Sequence, residues 1–278
     1  MGKDEFIDDF GSDADGDRKF VTALARGLDV LRCFRPHETT LTNQEIAQRT
    51  GLPKPTISRL THTLCKLDYL VFSERTGTYR LGAGVLSLGY GVLSGMEIAD
   101  RAQGELRALC DLGTNPHITA ALAEQHRLSA VYTAVHRSQQ TVALTINVGA
   151  RLPIMHSAIG RSILVAMSAA ERAHIVQLAK EERPQDSDRI QESIEKALED
   201  YARFGLCTGF GGWRKEVHGI AVPVFSLNGD RIYGLNVGGP SFLVSPEELM
   251  ENYAEPLKRA AQNLSSGALG SVASGPAS

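Results

Sequence analysis

The chain has 278 residues, of which 42% are hydrophobic and 22% charged, and its formal net charge is −3. This composition is typical of a soluble globular protein with one large domain or two smaller ones. It excludes a chain that is basic throughout, but the average conceals unequal segments. Residues 1–19 carry seven acidic and three basic residues, whereas residues 20–82 carry nine Lys/Arg and five Asp/Glu. A module of net charge +4 therefore follows an acidic tail.

The acidic start of the chain predicts a disordered tail, because it is too acidic for a signal or transit peptide. The four cysteines are widely spaced and form no CxxC pair, which favours reduced thiols in a cytoplasmic protein. They are Cys33, Cys65, Cys110 and Cys207.

A first helix is predicted over FVTALARGLDVLRCF, residues 20–34. Leu24, Leu28, Leu31 and Phe34 recur at helical spacing, so we expect them to form its buried stripe.

A second helix is predicted over LTNQEIAQRTG, residues 41–51. Thr42 and Glu45 have the spacing of a capping box, and Leu41 and Ile46 have that of a hydrophobic staple. Gly51 lies where a left-handed residue ends a helix. Three independent signals therefore agree on a helix of about eight residues.

A third helix follows the stretch GLPKP, because both prolines suit the first turn of a helix. Its apolar face is predicted to comprise Ile57, Leu60, Leu64 and Leu67. The other side carries Thr56, Ser58, Arg59, His62, Thr63 and Lys66, with no acidic residue before Asp68. Such side chains can form hydrogen bonds with base edges and phosphates without charge repulsion.

The segment YLVFSERTGTYRL predicts two strands around a turn at Gly77, with Arg75 near the tip and Arg80 on the return. Together with the helices, it predicts a winged helix-turn-helix. The alternative is a small helical packing domain that happens to be basic.

The segment GAGVLSLGYGVLSG repeats GVLS after seven residues, which places both copies on one helix face. We expect a connecting helix with a seam of Val85, Leu88 and Val92, packed on its partner in a dimer. A flexible glycine-rich linker is the alternative, since five glycines oppose a helix. The uncharged run from Leu81 to Met96 is too short and too rich in glycine to favour a membrane span.

The remainder predicts a helix over MEIADRAQGELRALCDL, then strands over ITAALAEQHRLSAVYTAV and TVALTINVG. Three helices follow, over SAIGRSILVAMS, AAERAHIVQLA and RIQESIEKALEDYARFG. A closing hairpin is predicted to turn at Asn228 and Gly229 with type I′ geometry. This order predicts an antiparallel sheet with flanking helices, an α+β fold.

These segments resemble the isocitrate-lyase-regulator (IclR) family of bacterial transcription factors. The resemblance is carried by TNQEIAQRTGLPKPTISRLTHTLCKLDYLV, GTYRLG, RLPIMHSAIGRSILVAMS and GIAVPVFSLNGDRIYGLNVGGP. It covers about residues 20–265 and implies a winged N-terminal domain, a linker helix and a C-terminal effector-binding domain of GAF/PAS-like fold. It also implies homodimers or dimers of dimers on double-stranded DNA with a palindromic operator.

By position, the resemblance places Thr56 and Arg59 in the major groove, and Arg26 with Arg75 or Arg80 on the backbone or in the minor groove. Pro55 departs from the serine that is common in the family and removes one hydroxyl. The predicted DNA-binding residues are Arg26, Thr42, Lys54, Thr56, Ser58, Arg59, His62, Arg75 and Arg80.

The same resemblance predicts an effector site. By position, its members are Leu144, Leu152, Ala158, Ile159, Gly209, Gly219, Asn236 and Gly238, and we add His156, Trp213 and His218 on chemical grounds. Where the family usually has acidic residues, this chain has Trp213, Arg214, Lys215 and His218. We therefore expect an anionic organic acid, whose ring stacks on Trp213 if the acid is aromatic, with His156 and His218 as polar groups of the cavity. The alternative is that Arg214 and Lys215 are exposed loop charges and that Trp213 only packs.

No metal-binding spacing, nucleophile motif or phosphate loop is recognisable in the sequence, so we predict a regulator rather than an enzyme, with no cofactor and no metal. Two rival classes remain: an enzyme acting on a small organic acid with the winged domain as a docking module, and an interaction module without a ligand. The predicted boundaries are 1–19 (acidic tail), 20–82 (winged domain), 83–98 (linker helix), 99–266 (effector-binding domain) and 267–278 (flexible tail).

Overall fold

The structure is a computed structural model that describes residues 19–35, 38–94, 97–113, 115–138 and 147–265. Its internal contacts divide the chain into two compact units, and the boundary between them in the sequence falls between Gly95 and Met96. Each unit is described separately below.

The first unit contains four helices and a three-stranded antiparallel sheet of order β1-β3-β2. Its elements are α1 (Thr22–Arg32), β1 (Thr40–Thr42), α2 (Asn43–Thr50), α3 (Lys54–Lys66), β2 (Leu70–Ser73), β3 (Thr78–Leu81) and α4 (Ala83–Ser94). The helix-turn-helix and the wing are therefore confirmed, and the segment from Ala83 is helical. Strand β1 was not predicted, because three residues are too few to show an alternating pattern.

The local signals of α2 are all realised. The Thr42 hydroxyl accepts a hydrogen bond from the Glu45 amide, and the Glu45 carboxylate accepts one from the Thr42 amide. Gly51 ends the helix with φ of 66°, in the left-handed region that favours glycine. Pro53 is the N-cap of α3, and Pro55 lies in its first turn.

The core of the first unit corrects two predicted faces. Leu24 and Leu28 are 63% and 46% exposed, and α1 instead buries Val30, with Cys33 just beyond its end. In α3, Leu67 is 57% exposed because the helix ends at Lys66, while Thr61 takes a buried place by hydrogen bonding to the Ile57 carbonyl. Helical spacing identified an apolar stripe but not which part of it the unit itself covers.

The second unit contains a six-stranded antiparallel sheet of order β6-β5-β4-β9-β8-β7. Its strands are β4 (Thr119–His126), β5 (Ser129–Arg137), β6 (Arg151–Pro153), β7 (Cys207–Thr208), β8 (Val217–Phe225) and β9 (Ile232–Pro240). Its helices are α5 (Glu97–Asp111), α6 (Ala158–Ala166), α7 (Ala169–Glu182), α8 (Ser187–Phe204), α9 (Pro246–Glu248) and α10 (Ala254–Ser265). A 3-10 turn (Pro184–Asp186) precedes α8, and a π-helical turn (Leu249–Tyr253) joins α9 to α10.

The two faces of this sheet bury different helices. On one face, Leu106 of α5 and Leu257 of α10 join a cluster with Leu122 and Val237. On the other face, Ile159 and Ile163 of α6 pack against a floor of small residues that includes Ala121, Ala123 and Ala221. Small side chains on this second face leave room between the sheet and the start of α6. The fold is thus α+β, as predicted.

The closing hairpin differs from the prediction in its turn. A type I′ turn requires positive φ at both central residues, but of the pair Asn228 and Gly229 only Gly229 has it, with φ of 74°. The amide of Ser226 donates to the Arg231 carbonyl, and the Ser226 hydroxyl donates to Asp230. These bonds enclose a longer loop of four residues, a length that favours another turn type.

Most of the strand predicted over TVALTINVG, together with Leu144, lies outside the described residues, and residues 147–149 form no strand. Within the part of the chain that the structure describes, no helix combines the length and the apolarity needed to cross a membrane.

Candidate DNA-binding surface and ligand cavity

Helix α3 presents a polar side to solvent. Lys54, Ser58, Arg59 and His62 are exposed on it, and Thr56 is half-buried. Asn43 of α2 donates a hydrogen bond of 2.8 Å to the Ser58 hydroxyl, which ties the two helices together at this end. A hydroxyl that accepts one bond can still donate another, so Ser58 remains able to contact a phosphate.

The other predicted DNA contacts are distributed over the first unit. Arg26 is exposed on α1, Arg75 is exposed in the turn between β2 and β3, and Arg80 is exposed on β3. Thr42 differs from them because its hydroxyl both donates to the Glu45 carboxylate and accepts from the Glu45 amide. We therefore interpret Thr42 as a helix cap rather than as a DNA contact.

A cavity lies in the second unit between the sheet, the start of α6 and the loop after β7. Ten of the predicted effector-site residues line it together; Leu144 is the one member outside the described residues. These ten are Leu152, His156, Ala158, Ile159, Gly209, Trp213, His218, Gly219, Asn236 and Gly238. Seven of them were predicted from the resemblance, and His156, Trp213 and His218 from their chemistry; the fold brings all ten to one place.

Four further residues line the cavity that sequence reasoning missed: Thr119, Tyr132, Ser157 and Val217. Two of them had a visible signal. Ser157 directly precedes the helix SAIGRSIL, where an N-cap is expected. Thr119 is the one polar residue at the alternate positions 119, 121 and 123 of β4, which share one face.

Glycine at position 209 allows close approach between the loop and α6. A Cβ atom there would lie 3.0 Å from both the Cβ and the amide nitrogen of Ala158. Gly219 and Gly238 are paired across β8 and β9, so the floor of the cavity is bare main chain at this point. The space therefore depends on the absence of side chains at three positions.

The N-terminus of α6 opens into this cavity. Ser157 is the N-cap: its hydroxyl accepts from the Gly160 amide and donates to the Pro153 carbonyl. The first amides of a helix have no partner within it, and those of Ala158 and Ile159 donate to no group in the described part of the chain. Both residues line the cavity, so the positive end of the helix dipole lies at its wall.

Buried positive charge lies close to the same point. The Arg161 guanidinium is buried and donates to the carbonyls of Met155 and Thr208 and to the Ser193 hydroxyl. Arg189 donates to the Gly212 carbonyl at 3.2 Å. Burial, aided by Arg189 and Arg161, lowers the pKa of His156 to about 4. His156 is therefore neutral at pH 7 and enters the cavity wall as a polar group without charge.

The charged loop residues and His218 differ in their relation to the cavity. Arg214 and Lys215 are exposed and do not line it; the Arg214 guanidinium lies 4.7 Å from the ring centre of Trp213. His218 lines the cavity, while its Nδ1 atom lies 2.9 Å from the Val244 carbonyl oxygen and its ring packs edge-on against Phe210. A role of its imidazole in ligand binding stays a prediction.

Among the described residues, no group of three or more His, Cys, Asp or Glu side chains is placed to hold a metal ion. The buried thiols are also poor nucleophiles, since burial raises the pKa of Cys110 to about 11 and that of Cys207 to about 12.

Two protein families match the chain in the order of its two units. The IclR helix-turn-helix domain matches residues 23–74, and the family described as "Bacterial transcriptional regulator IclR C-terminal" matches residues 90–266. A Pseudomonas putida protein named Pca regulon regulatory protein is 30% identical over 251 residues, 90% of this chain and 84% of its own.

Solved structures agree in fold. An IclR family transcriptional regulator from Brucella abortus is 40% identical, with a TM-score of 0.80 over 92% of this chain and 95% of its own. An IclR homolog from Microbacterium hydrocarbonoxydans, complexed with 4-hydroxybenzoate, has a TM-score of 0.68 over 90% of this chain and 100% of its own, and at 22% identity it supports the fold alone. These relatives are named as regulators, which leaves the enzyme alternative without support. Because the matched domains cover the wing-bearing unit and the unit with the cavity, the chain belongs to the IclR family of bacterial transcriptional regulators.

Proposed function

We propose that this regulator senses a small aromatic organic acid in the cavity of its second unit and controls genes for the breakdown of such acids. The observation that carries the proposal is the start of α6, where the amides of Ala158 and Ile159 are unbonded within the described chain and face a largely apolar cavity. A carboxylate satisfies such amides and is stabilised by the helix dipole.

Electrostatics favours an anion at this end of the cavity. Its described lining residues include no Asp or Glu, so nothing in that wall repels a carboxylate. Burial is the main cause of the lowered pKa of His156, and the charges of Arg189 and Arg161 add to it while that of Asp186 opposes it. The two arginines, rather than the burial, favour a negative charge nearby.

The apolar lining favours a ring. Leu152, Ile159, Tyr132 and Trp213 provide apolar and aromatic surface, against which an aromatic ligand can stack. The Microbacterium hydrocarbonoxydans homolog shows that this fold accommodates 4-hydroxybenzoate in at least one protein. Its identity is too low to transfer the ligand, so the case for this chain rests on its own lining.

Ligand entry has to move the cavity wall. The cavity has a volume of about 30 Å³, which is room for only a few water molecules. A benzoate-sized molecule therefore displaces part of the lining. The segment 209–216, which carries Trp213, lies outside helices and strands. A ligand that prefers the opened wall shifts the population of conformations by its differential affinity.

The acid is tested by calorimetry with matched pairs, benzoate against benzamide and 4-hydroxybenzoate against its amide. We expect each acid to bind at least tenfold more tightly than its amide. Trp213 is the only tryptophan of the chain, so its fluorescence reports the same titration independently. Equal binding of acids and amides would end the anionic-ligand proposal.

On the DNA side, we propose that α3 enters the major groove with Arg59 and Thr56, and that Arg75 or Arg80 contacts the backbone. The regulator then works on a palindromic operator in the cytoplasm as a dimer or a dimer of dimers, with half-sites about 34–36 Å apart. Support for a dimer comes from exposed apolar residues on two helices of the first unit. Val21, Leu24 and Leu28 lie on or beside α1, and Leu86, Leu88 and Tyr90 lie on α4.

Light scattering tests the dimer. We expect the double substitution Leu24→Asp and Leu28→Asp to yield monomers and to abolish operator binding, because buried charges oppose the interface. Leu227→Asp is the matched control, since Leu227 is an exposed leucine of the second unit. A double variant that stays dimeric would remove α1 from the proposed interface.

A further inference from the structure

Two polar atoms of the cavity are buried without hydrogen-bond partners. They are Oγ1 of Thr119 and Oδ1 of Asn236, and each has almost no accessible surface. Thr119 as a whole is only 5% exposed. Buried polar groups in folded proteins are nearly always hydrogen-bonded, because leaving one unpaired costs the desolvation of that group. Two such atoms in one cavity therefore need an explanation.

Both atoms belong to the same face of the sheet. Strands β4 and β9 are neighbours, with Thr119 opposite Gly238 and Ala121 opposite Asn236. Residues opposite each other share a face, and so do alternate residues of one strand. Thr119 and Asn236 are thus diagonal neighbours on the floor of the cavity. No side chain stands between them on β9, since the residue opposite Thr119 is Gly238.

The rest of the Asn236 amide is already engaged. Its Nδ2 donates to the phenol oxygen of Tyr132 at 3.3 Å, and burial raises the pKa of that phenol, which stays neutral. Oδ1 is therefore an acceptor that needs a donor, and the Thr119 hydroxyl can donate as well as accept. One chemical group satisfies both at once: a hydroxyl, which donates to Oδ1 and accepts from Oγ1–H. A carboxylate can only accept, so it would leave Oδ1 unpaired.

We propose that Thr119 and Asn236 together bind a hydroxyl group of the ligand, so that the acid sensed by this cavity is a hydroxy acid. This inference rests on the proposed function, since it takes the carboxylate to lie at the N-terminus of α6. The two ends of the cavity then bind different groups of the ligand: the start of α6 binds the carboxylate, and Thr119 and Asn236 bind the hydroxyl. A site built to pair a hydroxyl discriminates strongly against the analogue that lacks it.

The experiment is a calorimetric panel on the full chain with benzoate, its 2-, 3- and 4-hydroxy derivatives and the corresponding methoxybenzoates. We expect at least one hydroxybenzoate to bind ten times more tightly than benzoate, and its methoxy partner to lose that advantage because an ether cannot donate. In Thr119→Val, which keeps the shape but removes the hydroxyl, the ratio of hydroxybenzoate affinity to benzoate affinity falls about fivefold or more. Thr133→Val is the matched control: Thr133 lies on the neighbouring strand β5 and does not line the cavity.

The outcomes separate the two proposals. If acids bind but their hydroxy, methoxy and unsubstituted forms bind equally, the proposal that Thr119 and Asn236 bind a hydroxyl is wrong. The proposal that the cavity senses an acid is then unaffected. If no acid of the panel binds, both fail. Stability of the free protein gives a readout without ligand: Thr119→Val should melt at the same temperature as the wild type or higher, since it removes an unpaired group. A fall of several degrees would show that the hydroxyl is bonded within the protein and would overturn the inference.

Discussion

The pKa of His156 has a consequence for stability that can be measured. In the folded protein it lies at about 4, lowered from 6.5 by burial first and then by Arg189 and Arg161, with Asp186 acting in the opposite direction. In the unfolded chain the ring titrates at its ordinary value. Between the two pKa values the unfolded state binds more protons, so acidification favours unfolding. The contribution of His156 is complete above its unfolded pKa and is lost as the pH falls toward 4.

The magnitude follows from the shift. A group that titrates at 6.5 when unfolded and at about 4 when folded contributes about 2 kcal/mol to the free energy of unfolding between pH 7.5 and pH 5. The ring of His156 is only half-buried, and solvent screens its interaction with the two arginines. We therefore expect a loss of about 1 kcal/mol from this residue.

The assay is urea unfolding followed by the fluorescence of Trp213, at pH 7.5 and at pH 5, for the wild type and for His156→Gln. Other groups also titrate over this range, so the informative quantity is the difference between the two proteins. We expect His156→Gln to lose less stability on acidification. His174→Gln serves as the control, because His174 is exposed on α7. Equal losses in His156→Gln and the wild type would refute the reasoning, since the histidine would then titrate alike in both states.

Three further predictions test the two surfaces. Arg59→Ala should weaken operator binding by about 1–3 kcal/mol in a gel-shift assay if the guanidinium reads a guanine, whereas Arg107→Ala on α5 should not. If Arg59 contacts a phosphate instead, the slope of log operator affinity against log salt concentration should differ by about 0.9 between Arg59→Ala and the wild type. Thr42→Ala should lower the stability of the first unit by about 1 kcal/mol through loss of the helix cap, without a change in operator affinity under conditions where the unit stays folded. Gly209→Val should reduce acid binding at least tenfold in the same calorimetric titration, since even a Cβ lies 3.0 Å from the start of α6; unchanged binding would place the ligand elsewhere.

Much of the first unit could be predicted because its signals are local. The capping box at Thr42, the left-handed Gly51 and the prolines before α3 each act on their own turn of helix, and each appears in the structure as expected. Burial is a different matter. Leu24 has the spacing of a core residue, yet it is exposed. Periodicity shows which residues share a face, whereas burial depends on what packs against that face, which can be another chain.

The cavity could be predicted only through the resemblance. Its members come from segments up to about a hundred residues apart, and no local pattern shows that Gly209 meets Ala158 or that Thr119 lies beside Gly238. Position in a known family supplied that long-range information for seven of the ten residues. Thr119 was missed because its polarity beside Ala121 and Ala123 indicates only that it shares their face of β4, and the register of β4 and β9 is needed to show what that face meets.

The positions of the cations show why the charge around the cavity is hard to predict from the sequence. Arg214 and Lys215 lie beside Trp213 in the sequence and suggested a cationic pocket, but both are exposed and neither lines the cavity. Solvent screens the charge of exposed residues. Arg161 lies in a helix that reads as apolar, and the fold surrounds it with the oxygens of Met155, Ser193 and Thr208. A buried charge interacts through a lower dielectric than an exposed one. The proposed preference for an acid therefore depends on the start of α6 and on Arg161 rather than on Arg214 and Lys215.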